Sequence, residues 1–467
     1  MKDTKRCFVS FEFYDRTGIE NYLEKQAEKG WLLEKVTALG WKFRKIEPGK
    51  IHFAVTYYPK ASGFDPQPSD DQLTFNEFCE HTGWKLAASN AQMQIFYNEE
   101  EDPTPIETEA AIEVENIHKA VKKSYMPSMI IFLVCGVLQL GIAAWQFSEN
   151  PLWILGSSAQ LFSCICWIMV IVVTCISMVR YMRWHKKAET AAEEDGVFVE
   201  TSSRNNIQIV ILVFMLAGLA WVLLSIEGVF AVTVVAAIAG ILGVTAIVAG
   251  SCEIMKRMKV SAKVNRTVTI ILTILISVGF SILLIMGIAS QVELSNQHKG
   301  EVETYEFRGV TREIYHDDLP LIIEDMIDTE YDGYSYEIYE NSESPLISVF
   351  EAAQRPRLDG LEQLDLSYTV TDVKISALYE LCLGWALDEF TYHYVIPEDE
   401  DDTYTAVEQD GEPWGADQAY QLSTYGELQN RWLLCYDKRI VEIEFDYDWD
   451  VTEEQKAVVG QKLGVYN

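Results

Sequence analysis

The run Tyr125–Phe147, YMPSMIIFLVCGVLQLGIAAWQF, decides how this chain is built. It holds no Asp, Glu, Lys or Arg, and about 20 apolar residues in a helix cross a hydrocarbon core of ~30 Å. Four further runs share its character, over 153–179, 207–224, 229–250 and 267–289, the third being the shortest. Working outward from them, the expected fold is that of a multi-domain membrane protein. An α+β cytoplasmic domain fills 1–98, and an acidic linker with a juxtamembrane helix fills 99–124. A five-helix transmembrane bundle follows over 125–290, then an acidic α+β extracellular domain over 291–467.

Positive charge orients the bundle. Lys and Arg collect on the cytoplasmic side of short loops. Lys119, Lys122 and Lys123 precede the first run; Arg180, Arg183, Lys186 and Lys187 follow the second; Lys256, Arg257, Lys259, Lys263 and Arg266 sit between the fourth and fifth. The connections around Glu149 and Glu227 carry no Lys or Arg. Five spans then place the N-terminus inside and the C-terminus outside a plasma membrane. The charged first ten residues do not read as a cleavable leader, so the first run is expected to serve as the insertion signal. The formal charge of −33 is concentrated at one end: residues 291–467 hold 41 acidic and 11 basic side chains, a net of −30. Phosphate binding needs cations, so a nucleic-acid role is excluded there. Of nine Cys, only Cys382 and Cys435 lie in that end; they read either as a disulfide or as two buried thiols. No CxxC pair offers a zinc site.

Before the membrane, Lys5–Phe13 alternates as a strand does, and 15–29 has helical spacing with Ile19, Leu23 and Ala27 on one face. Asp15 or Thr17 is its candidate cap and Gly30 its C-terminal stop. Trp31–Ala38, Trp41–Ile46 and Ile51–Tyr58 read as strands. Pro68–His81 then reads as a helix capped by Ser69, and Gly83-Trp84 repeats the Gly30-Trp31 junction before a hairpin around Asn90. Helix, Gly-Trp, strand, strand thus occurs twice, a sign of duplication. Acidic residues with Pro103 and Pro105 mark a linker, and 110–124 is expected to be a helix entering the membrane.

The opening Lys5-Arg6-Cys7-Phe8, the sequence Glu28-Lys29-Gly30-Trp31-Leu32-Leu33, the strand Trp41-Lys42-Phe43 and the later Gly83-Trp84 with Gln94-Ile95-Phe96-Tyr97 resemble the bacterial domain-of-unknown-function family 2812 over roughly residues 1–180. These are aromatic and glycine signatures of a fold, so the resemblance carries no catalytic residue. It implies a bacterial membrane protein. The frequent closeness of such genes to those of PadR-like transcription regulators implies a part in sensing or envelope response.

Chemistry is not legible. His52, His81 and His118 are not grouped with Cys or Asp at any metal or nucleophile spacing, and neither a GxxxxGK[ST] nor a GxGxxG loop occurs, so no cofactor is expected. Spans without ionisable side chains argue against a proton- or ion-coupled transporter. Ala236, Gly240 and Gly243 give the fourth run a small-residue stripe, suited to packing inside the bundle or to self-association. Gln139, Gln160 and Gln208 are expected to bridge helices.

In the acidic end, 301–316 and 335–350 read as strands, Leu319–Met326 as a short helix, and Asp365–Leu378 and Ile440–Trp449 as strongly alternating strands. Val441, Ile443, Phe445, Tyr447 and Trp449 are expected on one face of the last. Thr452 should cap a final helix, Glu453–Leu463. The stretch Asp328-x-Glu330-x-Asp332-Gly333 begins like a calcium loop but puts Tyr339 where a bidentate Glu belongs, which leaves Asp328, Glu330 and Asp332 as weak candidate ligands. His298, His316 and His393 have no partner at a recognisable spacing. The expected role is that of a non-enzymatic membrane protein linking a cytoplasmic partner-binding domain to the acidic outer domain, as a sensor or accessory subunit. The alternatives are an accessory subunit of a membrane transport system and an anchored extracytoplasmic enzyme. Residues 291–467 are expected to stand alone as a soluble monomer.

Overall fold

The computed structural model describes residues 3–37, 40–201, 210, 213–220, 229–294, 301–360, 363–391 and 404–465. The chain divides into two compact units. One comprises Met1–Leu140 with Cys166–Ala289, the other Gly141–Ile165 with Ser290–Asn467.

The first unit opens with a tandem repeat. Strand β1 (Thr4–Cys7), helix α1 (Arg16–Ala27), β2 (Trp31–Thr37) and β3 (Gly40–Lys45) make a β-α-β-β unit whose sheet order is β1-β3-β2. Strand β4 (His52–Tyr57), helix α2 (Asp70–His81), β5 (Lys85–Asn90) and β6 (Met93–Asn98) repeat it with order β4-β6-β5. The likeness extends to detail. Both helices stop at a glycine of positive φ, Gly30 at 79° and Gly83 at 86°. A Cβ at Gly30 would meet Ile46 O at 2.9 Å, and one at Gly83 would meet Asn98 Nδ2 at 2.9 Å, so each glycine admits the end of its own unit's last strand. Each hairpin also shifts register two residues after its tryptophan, between Leu33 and Lys35 and between Leu86 and Ala88. The duplication expected from the Gly-Trp junctions is therefore real and gains a leading strand in each copy. The strand expected over Lys5–Phe13 is shorter, ending at Cys7. Asp15 accepts from Gly18 N and Ser69 from Gln72 N, which settles both caps.

Helix α3 (Ala110–Ala120) runs through a π-helical turn, Val121–Tyr125, into α4 (Met126–Glu149). After α5 (Pro151–Gly156) come α6 (Ser158–Glu194), α7 (Val229–Arg257) and α8 (Ala262–Leu294). Among the described residues, four helices are long and apolar enough to cross a membrane: Ala110–Glu149, Ser158–Glu194, Val235–Arg257 and Ala262–Leu283. Half of the expected third span, 207–224, including Gln208, lies outside the described residues, and 213–220 is helical. Gly136 lets α4 close on α6, since a Cβ there would meet Ile171 Cγ1 at 2.7 Å. Gly240 in the same way receives the ring of Phe280 from α8, whereas Gly243 faces open space. Part of the small-residue stripe thus serves packing within the chain.

The second unit is built on a nine-stranded sheet. Its strands are β7 (Glu301–Phe307), β8 (Val310–His316), β9 (Tyr334–Glu343), β10 (Ile347–Pro356), β11 (Leu366–Val373), β12 (Tyr404–Gln409), β13 (Gln418–Thr424), β14 (Glu427–Cys435) and β15 (Arg439–Phe445). The order is β12-β13-β14-β15-β11-β10-β9-β8-β7, antiparallel except for a single parallel bridge between β8 and β9 at His316 and Tyr336. Alternation fills both faces. Leu434, Val441, Ile443 and Phe445 pack with Trp414, Trp432 and Trp449 under α10 (Glu453–Leu463). Leu433, Cys435 and Ile440 point the other way, against Leu383, Ala386 and Phe390 of α9 (Tyr379–Thr391). Thr452 caps α10 in a reciprocal capping box with Gln455. Tyr447 departs from its expected face: it lies beyond the end of β15 and is 80 % exposed.

The run 153–179 also needs correcting at its start. Asn150 Oδ1 accepts from Trp153 N at 3.0 Å and starts α5, whose Leu152 and Leu155 are buried in the same cluster as Ile347, Val349 and Phe390. Ser344 Oγ donates to Leu155 O at 2.5 Å, and Ser158 Oγ to Glu343 O at 3.2 Å. Residues 151–156 therefore complete the core of the C-terminal domain, and the helix long and apolar enough to cross a membrane begins at Ser158. Residues 291–467 taken alone would lack Leu152 and Leu155 from that cluster.

Candidate functional site

The strongest polar constellation lies in the first unit, where the tandem repeat meets the ends of α4 and α6. Glu12, 1 % exposed, accepts from the Tyr125 hydroxyl at the start of α4 and from Ser177 Oγ of α6 at 2.9 Å. A buried carboxylate is stabilised only when such donors surround it. Arg16 of α1 pairs with Glu20 at 2.8 Å and with Glu113 of α3, and its guanidinium lies 5.1 Å from the Phe198 ring centre. Thr17 and Thr201 exchange N–H···Oγ1 bonds of 3.2 Å in both directions. Lys123 Nζ donates to the carbonyls of Pro59, Lys60 and Ala61 at 3.0, 3.0 and 3.1 Å. This lysine, part of the basic cluster before the first run, is held by backbone carbonyls of the repeat. The π turn at 121–125 falls in the middle of these contacts, and such turns often mark functional positions in helices.

Beside this clamp, α3 packs on the C-terminal part of α6 through Ala110, Val114, Ala188 and Ala192. A cavity of about 350 Å³ opens there, lined by Glu115 and His118 from α3 and by His185, Glu189 and Glu193 from α6. The two imidazole rings stand 4.1 Å apart, and His118 Nδ1 lies 2.7 Å from the Tyr181 hydroxyl. Glu189 Oε2 is 3.8 Å from His185 Nδ1. Tyr181 in turn stacks edge-on against Tyr14 of the repeat at 5.2 Å, next to Glu12. Burial, then the Glu12 carboxylate, pushes the Tyr14 phenol up to about 12. His118 precedes the apolar run, which begins at Tyr125. Burial lowers its pKa below the ordinary imidazole value, with His185 and Lys122 adding to the effect and Glu189 opposing it.

The site residues read from the sequence alone fare differently. Asp328, Glu330 and Asp332 are all exposed in the segment before β9. Among the described residues, no three His, Cys, Asp or Glu side chains converge as a metal site. Cys382 and Cys435 are free and buried in one cluster, so the disulfide alternative drops out; burial pushes both thiols up to about 11. His52 lies 3.6 Å from Glu24 and His316 lies 3.8 Å from Glu303, while His298 and His393 fall outside the described residues. The pairing of His118 with His185 was missed. A signal for it existed: His118 lies seven residues before Tyr125 and His185 six after Val179, so an antiparallel hairpin brings them to one level.

Residues 15–130 match the model of a family described as protein of unknown function, DUF2812. The N-terminal region carries a DUF2812 domain. The match is shorter than the resemblance over roughly 1–180, and its limits are informative. The DUF2812 segment includes α3, the π turn and the first residues of α4, so Glu113, His118, Lys123 and Tyr125 belong to it. Ser177, Tyr181, His185 and Thr201, which complete the clamp and the cavity, lie beyond it. No curated protein and no solved structure matches the chain.

Proposed function

We propose that this is a non-enzymatic, multi-pass plasma-membrane protein of a bacterium that transmits signals between its two folded domains through the hairpin of α4 and α6. In this reading the DUF2812 domain is cytoplasmic and binds a protein partner. The acidic C-terminal domain is extracellular, and a fifth span over 207–224 makes the count odd. The alternation of basic and uncharged connections supports the orientation.

One observation carries the reading: each folded domain is built onto a different part of that hairpin. The repeat holds its two basic ends through Glu12, Arg16 and Thr17. The nine-stranded sheet takes the connecting turn, through Leu152 and Leu155, into its core. A domain tethered by a flexible linker would need neither. Tags at the two termini of the protein in sealed vesicles test the orientation. An external protease is expected to remove the C-terminal tag alone, and removal of both or neither would defeat the two-sided reading. Transmission is tested by hydrogen exchange on the full chain. Leu152→Ala with Leu155→Ala is expected to speed exchange at 110–125 and 177–201 as well as in the sheet; an effect confined to the sheet would refute it.

A further inference from the structure

We propose that the close pair His118–His185, whose rings are tilted 42° to one another, is a proton-binding switch, which stays closed while both imidazoles are neutral and opens the joint between α3 and α6 when the pair is protonated. The inference deepens the transmission reading and rests on it for its consequence, but the switch itself is a property of the joint.

Imidazole is the side chain that ordinarily changes charge between about pH 5 and 8. Neutral rings tolerate a 4.1 Å separation; two imidazolium ions at that distance repel. The charges around the pair explain why the response is graded. On α3 and the turn that follows, Glu115 is occupied by Lys119 at 2.7 Å, and Lys122 adds positive charge. On α6, the Glu189 carboxylate lies 3.8 Å from His185 Nδ1, where it can face one imidazolium, and Glu193 also lines the cavity. The second proton has no carboxylate of its own at contact distance among the described residues. It would also turn His118 Nδ1 into an obligate donor, so that the Tyr181 hydroxyl, 2.7 Å away, can only accept. Tyr181 touches Tyr14, which adjoins Glu12, so the change reaches the clamp through two side chains. The cavity supplies the room into which the rings separate, beside a seam of small and apolar residues, Ala110, Val114, Ala188 and Ala192, with Trp184, Phe198 and Val199 packed against it.

The test uses the full chain in lipid nanodiscs with spin labels at the exposed Ile112 and Lys187, frozen at about pH 7.5 and about pH 5.5, either side of the imidazole range. The distance distribution is expected to lengthen and broaden at the lower pH, reversibly and in the presence of a chelator. His118→Gln with His185→Gln is expected to hold the neutral-pH distribution at both values. If the double variant does not fold, His185→Gln alone is expected to shrink the shift. Identical distributions for the natural chain at both pH values would overturn the proposal, as would a shift that survives loss of both imidazoles. A shift driven by zinc at constant pH and abolished by the chelator would assign the pair to a metal and overturn it too. Exchange that fails to spread from the sheet bears only on transmission; labels that fail to move with pH bear only on the switch.

Discussion

The two units hold the long apolar helices by different balances of forces. The DUF2812 domain uses a buried carboxylate, an arginine cluster, reciprocal threonine bonds and three carbonyls on one lysine. The C-terminal domain relies mainly on two buried leucines, with hydrogen bonds from Ser344 and Ser158 at their edge. Hydrogen bonds and ion pairs are directional and fix one register, and they respond to charge. Apolar burial is non-directional and responds to area removed from water. The comparison teaches where regulation can enter. A polar joint can be switched by a proton or a charged partner, whereas an apolar plug acts as a permanent fastening.

Removing the plug should do the most damage. Leu152→Ala and Leu155→Ala each delete a buried side chain from the cluster under α9, at about 2–5 kcal/mol apiece. Thermal unfolding of the full chain in detergent, followed by exchange in β10 and β11, is expected to show a large loss in that sheet. For the same reason residues 291–467 expressed alone should aggregate, since Ile347, Val349 and Phe390 lose their cover. A soluble, monomeric 291–467 with unchanged melting would break the contrast.

The polar side should yield in smaller steps. Glu12→Ala leaves the hydroxyls of Tyr125 and Ser177 buried without their shared acceptor, at about 1–3 kcal/mol. Tyr125→Phe removes one donor and should cost less. Exchange at 10–17 and 121–125 measures both, and equal effects of the two variants would argue that packing, not hydrogen bonding, holds the joint.

How far the sequence could be read follows the same division. Apolar periodicity is local, so the helices α1 and α2, the two Gly-Trp junctions and the capped helix Glu453–Leu463 were legible to within a few residues. The plug was not. Its Leu152, Trp153 and Leu155 look like the start of a span, because an apolar side chain does not declare whether lipid or a β-sheet will cover it. The joint was hidden for another reason: His118 meets His185, and Glu12 meets Ser177, only after the hairpin closes. The acidic stretch is legible only as spacing: Asp328, Glu330 and Asp332 are exposed in the segment before β9.

Among the long apolar helices a smaller test separates packing from self-association. Gly240→Leu would drive a side chain into the Phe280 ring and should loosen the α7–α8 pair by about 1–3 kcal/mol. Gly243→Leu enters open space and should leave that pair intact. Crosslinking between α7 and α8 reads the first effect. If Gly243→Leu instead alters oligomeric state alone, the stripe has a second face that serves another copy.

The smallest effect, and the one that sharpens the contrast most, is the response to acid. In the C-terminal domain, burial raises the pKa of Glu351, Asp365 and Glu442. Glu340 adds to the first, Asp446 to the second, and Glu444 to the third against the pull of Arg431. A carboxyl whose folded pKa is raised contributes stability that is full below the ordinary value near 4 and is lost as pH rises through the folded value. Acidification from about pH 7.5 to about pH 5.5 should therefore stabilise the sheet, by a rise in melting temperature of about a few degrees. His118 has the opposite sign. Its pKa is lowered on folding, so its contribution is full above the ordinary imidazole value near 6.5 and is lost as pH falls. The same fall of about two pH units should thus slow exchange in β10, β11 and β15 and speed it at 110–125 and 177–201 in one sample. The internal comparison removes the uniform effect of pH on exchange chemistry, because only the difference between the regions is read. If both regions move in one direction, net charge on the whole chain governs stability and neither the carboxyl cluster nor the imidazole pair acts locally.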